Sequence, residues 1–289
     1  MNEVSNPNLK LATICLLAKD DVAANLRQAL QAIDKAAELG ADWVLLPEVW
    51  SYQGAYQGLL LAADEPRGAI YQQLAEKAAK HHICLFAGSY AEKADADEAD
   101  LLNQKGQVRV HNVSYVFDRT GKERAFYRKT HLFNLYDEHG AARYCESDGY
   151  IPGNNLQVFD LEGWRVGLSI CYDLRFPGLY QAMNRLGKEM DIITVPAAFT
   201  LETGKDHWEL LLRARAVELQ SYVFAANQFG ENQPGKRCYG HSMIIDPWGD
   251  KLADTGDYAG IALAQVSKQT IQRIRSKLPA LQNQRQELY

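Results

Sequence analysis

Short apolar runs alternate with segments of helical periodicity along this 289-residue chain, and that alternation restricts the fold more than any other feature. Residues 43–46, WVLL, form a continuous apolar run, the pattern of a strand covered on both faces. Further strands are predicted at 9–17, 83–87, 164–170 and 191–195. Between the first two, Val22, Leu26, Ala29, Leu30 and Ile33 recur at helical spacing, with Asp20 or Asp21 placed to cap that helix and Gly40 to end it. Ile70, Leu74 and Ala78 mark a second amphipathic helix, and residues 179–186 a third. A fourth is predicted over 206–220, with Trp208, Leu212, Ala216 and Leu219 along one stripe and Glu209 and Arg213 spaced to pair at i,i+4. Strands that alternate with helices imply a layered α/β sheet.

With 47% hydrophobic residues the chain can bury a substantial core, as one large α/β domain or two smaller ones. Its formal charge of −5 is scattered, with no Lys/Arg block to neutralise a row of phosphates, which argues against a nucleic-acid partner. No apolar stretch reaches the roughly 18 residues of a membrane span, and the first ten residues lack a basic-then-apolar signal pattern. A soluble, cytoplasmic protein is expected. The five cysteines are odd in number and lack C-x-x-C spacing, against both a disulfide framework and a zinc knuckle. Cys15 and Cys84 sit in strand-like runs and read as core packing, whereas Cys238, beside Arg237, reads as an exposed loop thiol. The acidic, alanine-rich segment 91–106 reads as a surface excursion without chemistry.

An internal echo accompanies these elements. Residues 114–121, SYVFDRTG, and 242–249, SMIIDPWG, share the pattern of a strand entering a Gly-containing hairpin turn. A true repeat would make the fold two related halves.

Three apolar strands end in chemically capable side chains. Glu48 follows WVLLP, Lys129 follows YR, and Cys171 follows WRVGLSI. Amide hydrolysis by a thiol takes a base for its proton, donors for the oxyanion and an acid for the leaving nitrogen. Glu48 can deprotonate the thiol and return the proton; Lys129 can stabilise the oxyanion and favour the thiolate. Histidine is the alternative base. His81, His82, His111 and His139 lie in surface-like contexts, while His131, His207 and His241 are candidates that no local motif separates. No pair of histidines has the spacing of helical metal ligands, so no metal is assigned.

The segments LLPEVW, YRKTHLF and SICYDLRFPGLY, in that order, resemble the Glu-Lys-Cys signatures of the nitrilase superfamily of carbon-nitrogen hydrolases. The resemblance continues through AAFT, HWELLLRARAVELQSYVFAANQ and YGHSMIIDPWG to the closing ELY. It implies a single domain over residues 1–289 with a four-layer αββα sandwich and internal pseudo-twofold symmetry. It further implies a homodimer or higher homo-oligomer paired through helices flanking the nucleophile, with residues 267–289 as a tail that docks on a partner subunit. Glu48, Lys129 and Cys171 take the same roles as above. Glu146, in CES ahead of Pro152-Gly153, joins them to position Lys129 and the hydrolytic water, and the Tyr172 backbone N–H completes the oxyanion hole.

The implied cycle is thiolate attack, release of ammonia to leave a Cys171 thioester, and Glu48-assisted hydrolysis, with no metal or organic cofactor. The RKTHLF, CES, AFT and HWE segments are most similar to the deaminated-glutathione amidase branch. ω-Amidases acting on α-ketoglutaramate and N-carbamoyl amino acid amidohydrolases are the alternatives, and a non-catalytic scaffold retaining the sandwich is the reading outside enzymology. Arg175 is the expected grip on the substrate carboxylate, with an ion pair to Asp173 as its structural alternative. Phe199 and Thr200 are expected pocket walls. Residues 134–143, NLYDEHGAAR, depart from the branch pattern next to Glu146.

Overall fold

A computed structural model describes residues 6–98 and 100–288. Residues 1–5, 99 and 289, which include the start of the chain and the last residue of the closing ELY, lie outside that description. The chain begins with β1 (Asn8–Cys15), α1 (Val22–Glu38), β2 (Trp43–Leu45), α2 (Tyr56–Ala62), α3 (Ala69–His81), β3 (Cys84–Phe86) and β4 (Tyr90–Lys93). It continues through β5 (Val110–Phe117), β6 (Glu123–Arg128), a hairpin of β7 (Asn134–Tyr136) and β8 (Ala142–Cys145), and β9 (Tyr150–Ile151). The second half runs β10 (Gln157–Leu161), β11 (Trp164–Leu168), α4 (Pro177–Asn184), β12 (Ile192–Ala197), α5 (Leu201–Thr203), α6 (Glu209–Leu219) and β13 (Tyr222–Asn227). A hairpin of β14 (Phe229–Gln233) and β15 (Lys236–Tyr239), then β16 (Met243–Ile245), β17 (Lys251–Asp254), β18 (Gly260–Ser267) and α7 (Lys268–Lys277) complete it.

The strands form two large sheets whose orders correspond one to one. In the first, β18-β1-β2-β3-β5 extends to β6, with β4 and β9 added along β5. In the second the order is β10-β11-β12-β13-β16-β17. Each sheet has an antiparallel edge strand, then two parallel steps, then two antiparallel ones. The two echoed motifs occupy matching hairpins, β5–β6 and β16–β17, and they fold alike. Asp118 Oδ1 accepts from the backbone of Thr120 and Lys122, and Asp246 Oδ1 from that of Trp248 and Asp250. The echo is therefore a repeat in topology and in turn chemistry.

Alternation along the strands explains why their runs are wholly apolar. Leu9 and Leu11 of β1, and Trp43 and Leu45 of β2, join the core shared with the second sheet, while Ala12, Ile14 and Val44 join the core under α1 and α3. The four layers are α1 and α3, the first sheet, the second sheet, and α4 with α6. Asp21 caps α1 through its side chain to Ala24 N, and Gly40, at φ +80°, follows its end. The buried stripe of α6 includes Leu212, Ala216 and Leu219, preceded by buried Trp208 in a wide π-type turn. Glu209 and Arg213 stand 4.0 Å apart on its surface. The α7 helix buries Ile271 and Ile274 in its own chain, and Gln220 Nε2 donates to Leu278 O beyond it.

Four local readings change. Helix α2 was not anticipated, because its apolar residues lack a long periodic stripe; only Leu59 is buried. Cys238 is buried, since β15 carries it under Thr200 rather than into solvent. His111 is buried too, on the fully covered β5, with Nε2 against Glu98. Within the supposed excursion, Glu92 on β4 is buried and accepts from Tyr115 Oη.

Loss of either turn aspartate should cost about 1 kcal/mol, the worth of one or two side-chain hydrogen bonds. Urea titration of Asp118→Ala and Asp246→Ala checks this; equal midpoints for variant and wild type would contradict it.

Candidate active site

Each of the four expected side chains leaves its strand at a bend that the fold enforces. Glu48 lies just past β2, where Pro47 ends the run and Val49 adopts φ +42°, a conformation costly for a β-branched residue. Gly88 makes the bend possible, because a Cβ there would stand 2.1 Å from Pro47 O. Ser89 then donates its N–H to Pro47 O and accepts from Val49 N at 3.1 Å. Gln228 Nε2 donates to Glu48 O at 2.7 Å, tying this bend to the second sheet. Cys171 has φ +48° at the start of a short 3-10 turn after β11, and the Asp173 side chain accepts from Ile170 N at 2.9 Å to hold it. Lys129 directly follows β6 and Glu146 directly follows β8.

These bends bring the four groups around one buried point. Lys129 Nζ donates to Glu48 Oε1 at 2.7 Å and to Glu146 at 2.9 Å and 2.7 Å. Asn112 Nδ2 bridges the same carboxylates at 3.1 Å and 3.3 Å. Ala198 N donates to Glu48 Oε2 at 2.9 Å, and Phe133 N to Glu146 Oε2 at 2.6 Å. The Cys171 thiol and the Glu48 carboxylate line the same cavity. Sequence reasoning missed Asn112, although an Asn inside a strand covered on both faces must find partners there, which is itself a signal.

Charge in this pocket follows from its dryness. Burial opposes charge on Lys129, only 2% exposed, yet Glu146 and Glu48 outweigh it and hold the ammonium well above the ordinary lysine range. Burial raises the Glu146 carboxyl, and Lys129 offsets only part of that. Burial and then Glu48 push the Cys171 thiol well above its usual range despite the pull of Lys129. Lys129 pulls toward the thiolate, as the sequence reading expects, but burial and then Glu48 outweigh it and keep the proton on the sulfur.

None of the candidate histidines serves as the thiol's base. His131 donates its N–H to Asp173 at 3.1 Å, sets Nδ1 2.7 Å from the same carboxylate, and stacks on Phe176. His241 pairs with Asp254, and His207 is exposed beside Arg175. Asp173, fully buried, also accepts from Tyr127 Oη at 2.8 Å, so it fastens the end of β6 to the bend at Cys171. It is thereby unavailable to Arg175, whose guanidinium instead lies over Tyr172 and Phe199 at 6.0 Å and 5.5 Å.

Glu48, Lys129, Glu146 and Cys171 all line one cavity of about 500 Å³, together with Thr200. Tyr52, Tyr56 and Tyr144 contribute aromatic walls, and Lys105, Arg143, Lys236 and Arg237 contribute positive charge. Arg175 and Phe199 are not among its lining residues; they border a smaller adjoining lobe that shares Cys171 and Thr200 with it.

The carbon-nitrogen hydrolase family model matches residues 10–276. The chain belongs to that family. It is 34% identical to the deaminated glutathione amidase of Yersinia enterocolitica, across 98% of this chain and 94% of that one. It is also 34% identical to the human protein of the same name, across 99% and 85%. Among solved structures it is similar to the NitFhit protein of C. elegans, at a TM-score of 0.86 and 32% identity over 99% of this chain and 67% of that one. Nit3 of Saccharomyces cerevisiae, a member of branch 10 of the nitrilase superfamily, matches at a TM-score of 0.82 and 28% identity over 99% and 98%. As a carbon-nitrogen hydrolase with the nitrilase-type sandwich, the chain is an enzyme acting on carbon-nitrogen bonds other than peptide bonds. The scaffold reading is set aside.

A protonated resting thiol has a measurable consequence. Iodoacetamide labelling of Cys171, followed by peptide mapping, should accelerate with pH and reach no plateau up to about pH 9, where thiols of ordinary pKa already level off. A plateau below pH 8 would contradict the direction of the shift.

Proposed function

We propose that this enzyme is a thiol amidohydrolase whose preferred substrate is deaminated glutathione. The observation that carries the reading is the shared cavity, in which a thiol, two carboxylates and an ammonium meet beneath a cationic outer wall. Its volume, about 500 Å³, suits a tripeptide-sized anion better than a five-carbon keto amide. The names of the relatives support the same substrate.

The proposed cycle balances as follows. Glu48 takes the Cys171 proton as the sulfur attacks the amide carbonyl, so thiolate is formed only in the act of bond making. Lys129 Nζ and the Tyr172 N–H, near the free N-terminal end of its 3-10 turn, receive the developing oxyanion. Glu48 then passes its proton to the departing nitrogen, leaving a thioester on Cys171. Water loses a proton to Glu48 as it attacks that thioester; the carbon-sulfur bond breaks, and the acid and the thiol are restored. Glu146 holds Lys129 and orients the water. Deaminated glutathione is a keto acid in amide linkage to a dipeptide, so its leaving group is the dipeptide amine. Ammonia, the leaving group expected from the sequence, belongs to primary amides such as α-ketoglutaramate.

Localisation and assembly extend this reading. No described helix is long and apolar enough to cross a membrane, and the five cysteines are free, which suits a reducing cytoplasm. Leu210 and Val217 are exposed on one face of α6 beside Trp248, a surface suited to pairing two copies into a homodimer. The segment beyond α7, with exposed Leu278 and Leu288, is a second element for that partner to cover.

The test compares kcat/KM on deaminated glutathione, α-ketoglutaramate and an N-carbamoyl amino acid, with Cys171→Ala as the control. Deaminated glutathione should lead by at least about tenfold, and Cys171→Ala should turn over none of the three. A tenfold preference for α-ketoglutaramate, about 1.4 kcal/mol, would reassign the enzyme as an ω-amidase.

A further inference from the structure

The outer wall of the cavity has its own architecture. Two hairpins, β7–β8 and β14–β15, form two-stranded sheets separate from the sandwich. They meet across the cavity, where Lys236 Nζ stands 5.1 Å from the centre of the Tyr144 ring. Four cations line this wall, and the protein neutralises them unequally. Lys105 is engaged with Asp148 at 2.6 Å. Arg143 approaches Glu202 only to 3.6 Å, with both side chains more than half exposed, a geometry worth little in water. Lys236 has only the aromatic face, and Arg237 has no ion pair among the described residues. The carboxylate across the ladder from Arg237, Glu231, turns instead to Gly235 N at the hairpin tip and does not line the cavity. Three weakly paired or unpaired cations thus converge on a wall beside the thiol-bearing floor, where Lys129 is already engaged by Glu48 and Glu146.

The spacing limits what they can hold. Arg143 precedes Glu146 by three residues on an extended strand, about 10 Å along the backbone from the residue whose carboxylate grips Lys129. An extended dipeptide covers about 7 Å, and a long basic side chain closes the remainder. The keto-acid half of the substrate is shorter and does not reach so far.

We infer that Arg143, Lys236 and Arg237 form the subsite for the carboxylate on the leaving-amine side of the substrate, and that they make the enzyme selective for amides of a carboxylated dipeptide. Arg175, which the sequence suggested for substrate carboxylate, lines the smaller adjoining lobe and not this cavity. The inference rests on the proposed function, because only a substrate of that class carries a carboxylate at this distance. Carboxylate gripped by guanidinium and ammonium groups is remote from the bond broken, so its binding energy enters KM before kcat.

The experiment measures, for wild type and for Lys236→Gln/Arg237→Gln, the ratio of kcat/KM on deaminated glutathione to that on the same molecule with its terminal carboxylate converted to an amide. Wild type should prefer the carboxylate by at least about tenfold, largely through KM, and the double variant should fall to within about twofold of no preference. Adding Arg143→Gln should remove what is left, and raising salt should erode the wild-type preference alone. Arg237 is exposed and Lys236 half-buried on a hairpin separate from the two large sheets, so both can be replaced without disturbing the core, and activity on the amidated analogue reports that the variant is folded. A preference retained in the double variant, or none in wild type, overturns the inference while cleavage of deaminated glutathione leaves the proposed function standing. Wild-type enzyme that cleaves α-ketoglutaramate but ignores deaminated glutathione overturns the function and the inference together.

Discussion

A single buried ammonium joins three distant stretches of this chain. Lys129 Nζ sits between Glu48, beyond β2, and Glu146, beyond β8, at hydrogen-bonding distance from both. Removing such charges from water costs several kcal/mol each, and that cost is offset only when geometry and further hydrogen bonds are good. Here they are: Asn112 bridges the two carboxylates, and the N–H groups of Ala198 and Phe133 take up further lone pairs. Burial first, and then the adjacent Glu48, keep the proton on the sulfur at rest, which is why the proposed reaction needs Glu48 to remove it during attack.

Rigidity comes from groups that take no direct part in the chemistry. Asp173 binds the Cys171 bend, Tyr127 on β6 and His131 after Lys129 through one fully buried carboxylate. It therefore fixes nucleophile and ammonium relative to each other. Gln228, from the second sheet, does the same for Glu48. The strained φ values of Val49 and Cys171 persist because these contacts over-determine them. Fold and site are coupled through the sheet-to-sheet packing: the repeat sets two similar sheets face to face, and the strand ends of both supply the cavity.

What could be read in advance followed from local physics. The unbroken apolar run 43–46 and the largely apolar run 164–170 announced buried strands, and the chemical side chains stood just after them. Asp21 and Gly40 marked α1 through capping rules, and the hairpin motif predicted matching turns around Asp118 and Asp246. What escaped was relational. Nothing local distinguished Asp173 as the partner of His131 rather than of Arg175, or set Arg175 over Tyr172 and Phe199. Cys238 and His111 looked exposed because their immediate neighbours are polar, whereas their burial is decided by strands distant in sequence. Helix α2 covers the core with one residue and so leaves no periodic trace.

The central claim is that Cys171 carries the acyl half of the substrate in covalent form. Rapid acid quench of enzyme mixed with deaminated glutathione, followed by intact-mass and peptide analysis, tests it most directly. Wild-type protein should be heavier by the keto-acyl group, with the added mass on the peptide containing Cys171 and absent from Cys171→Ala. Unmodified wild-type protein during steady turnover, together with undiminished turnover by Cys171→Ala, would contradict it.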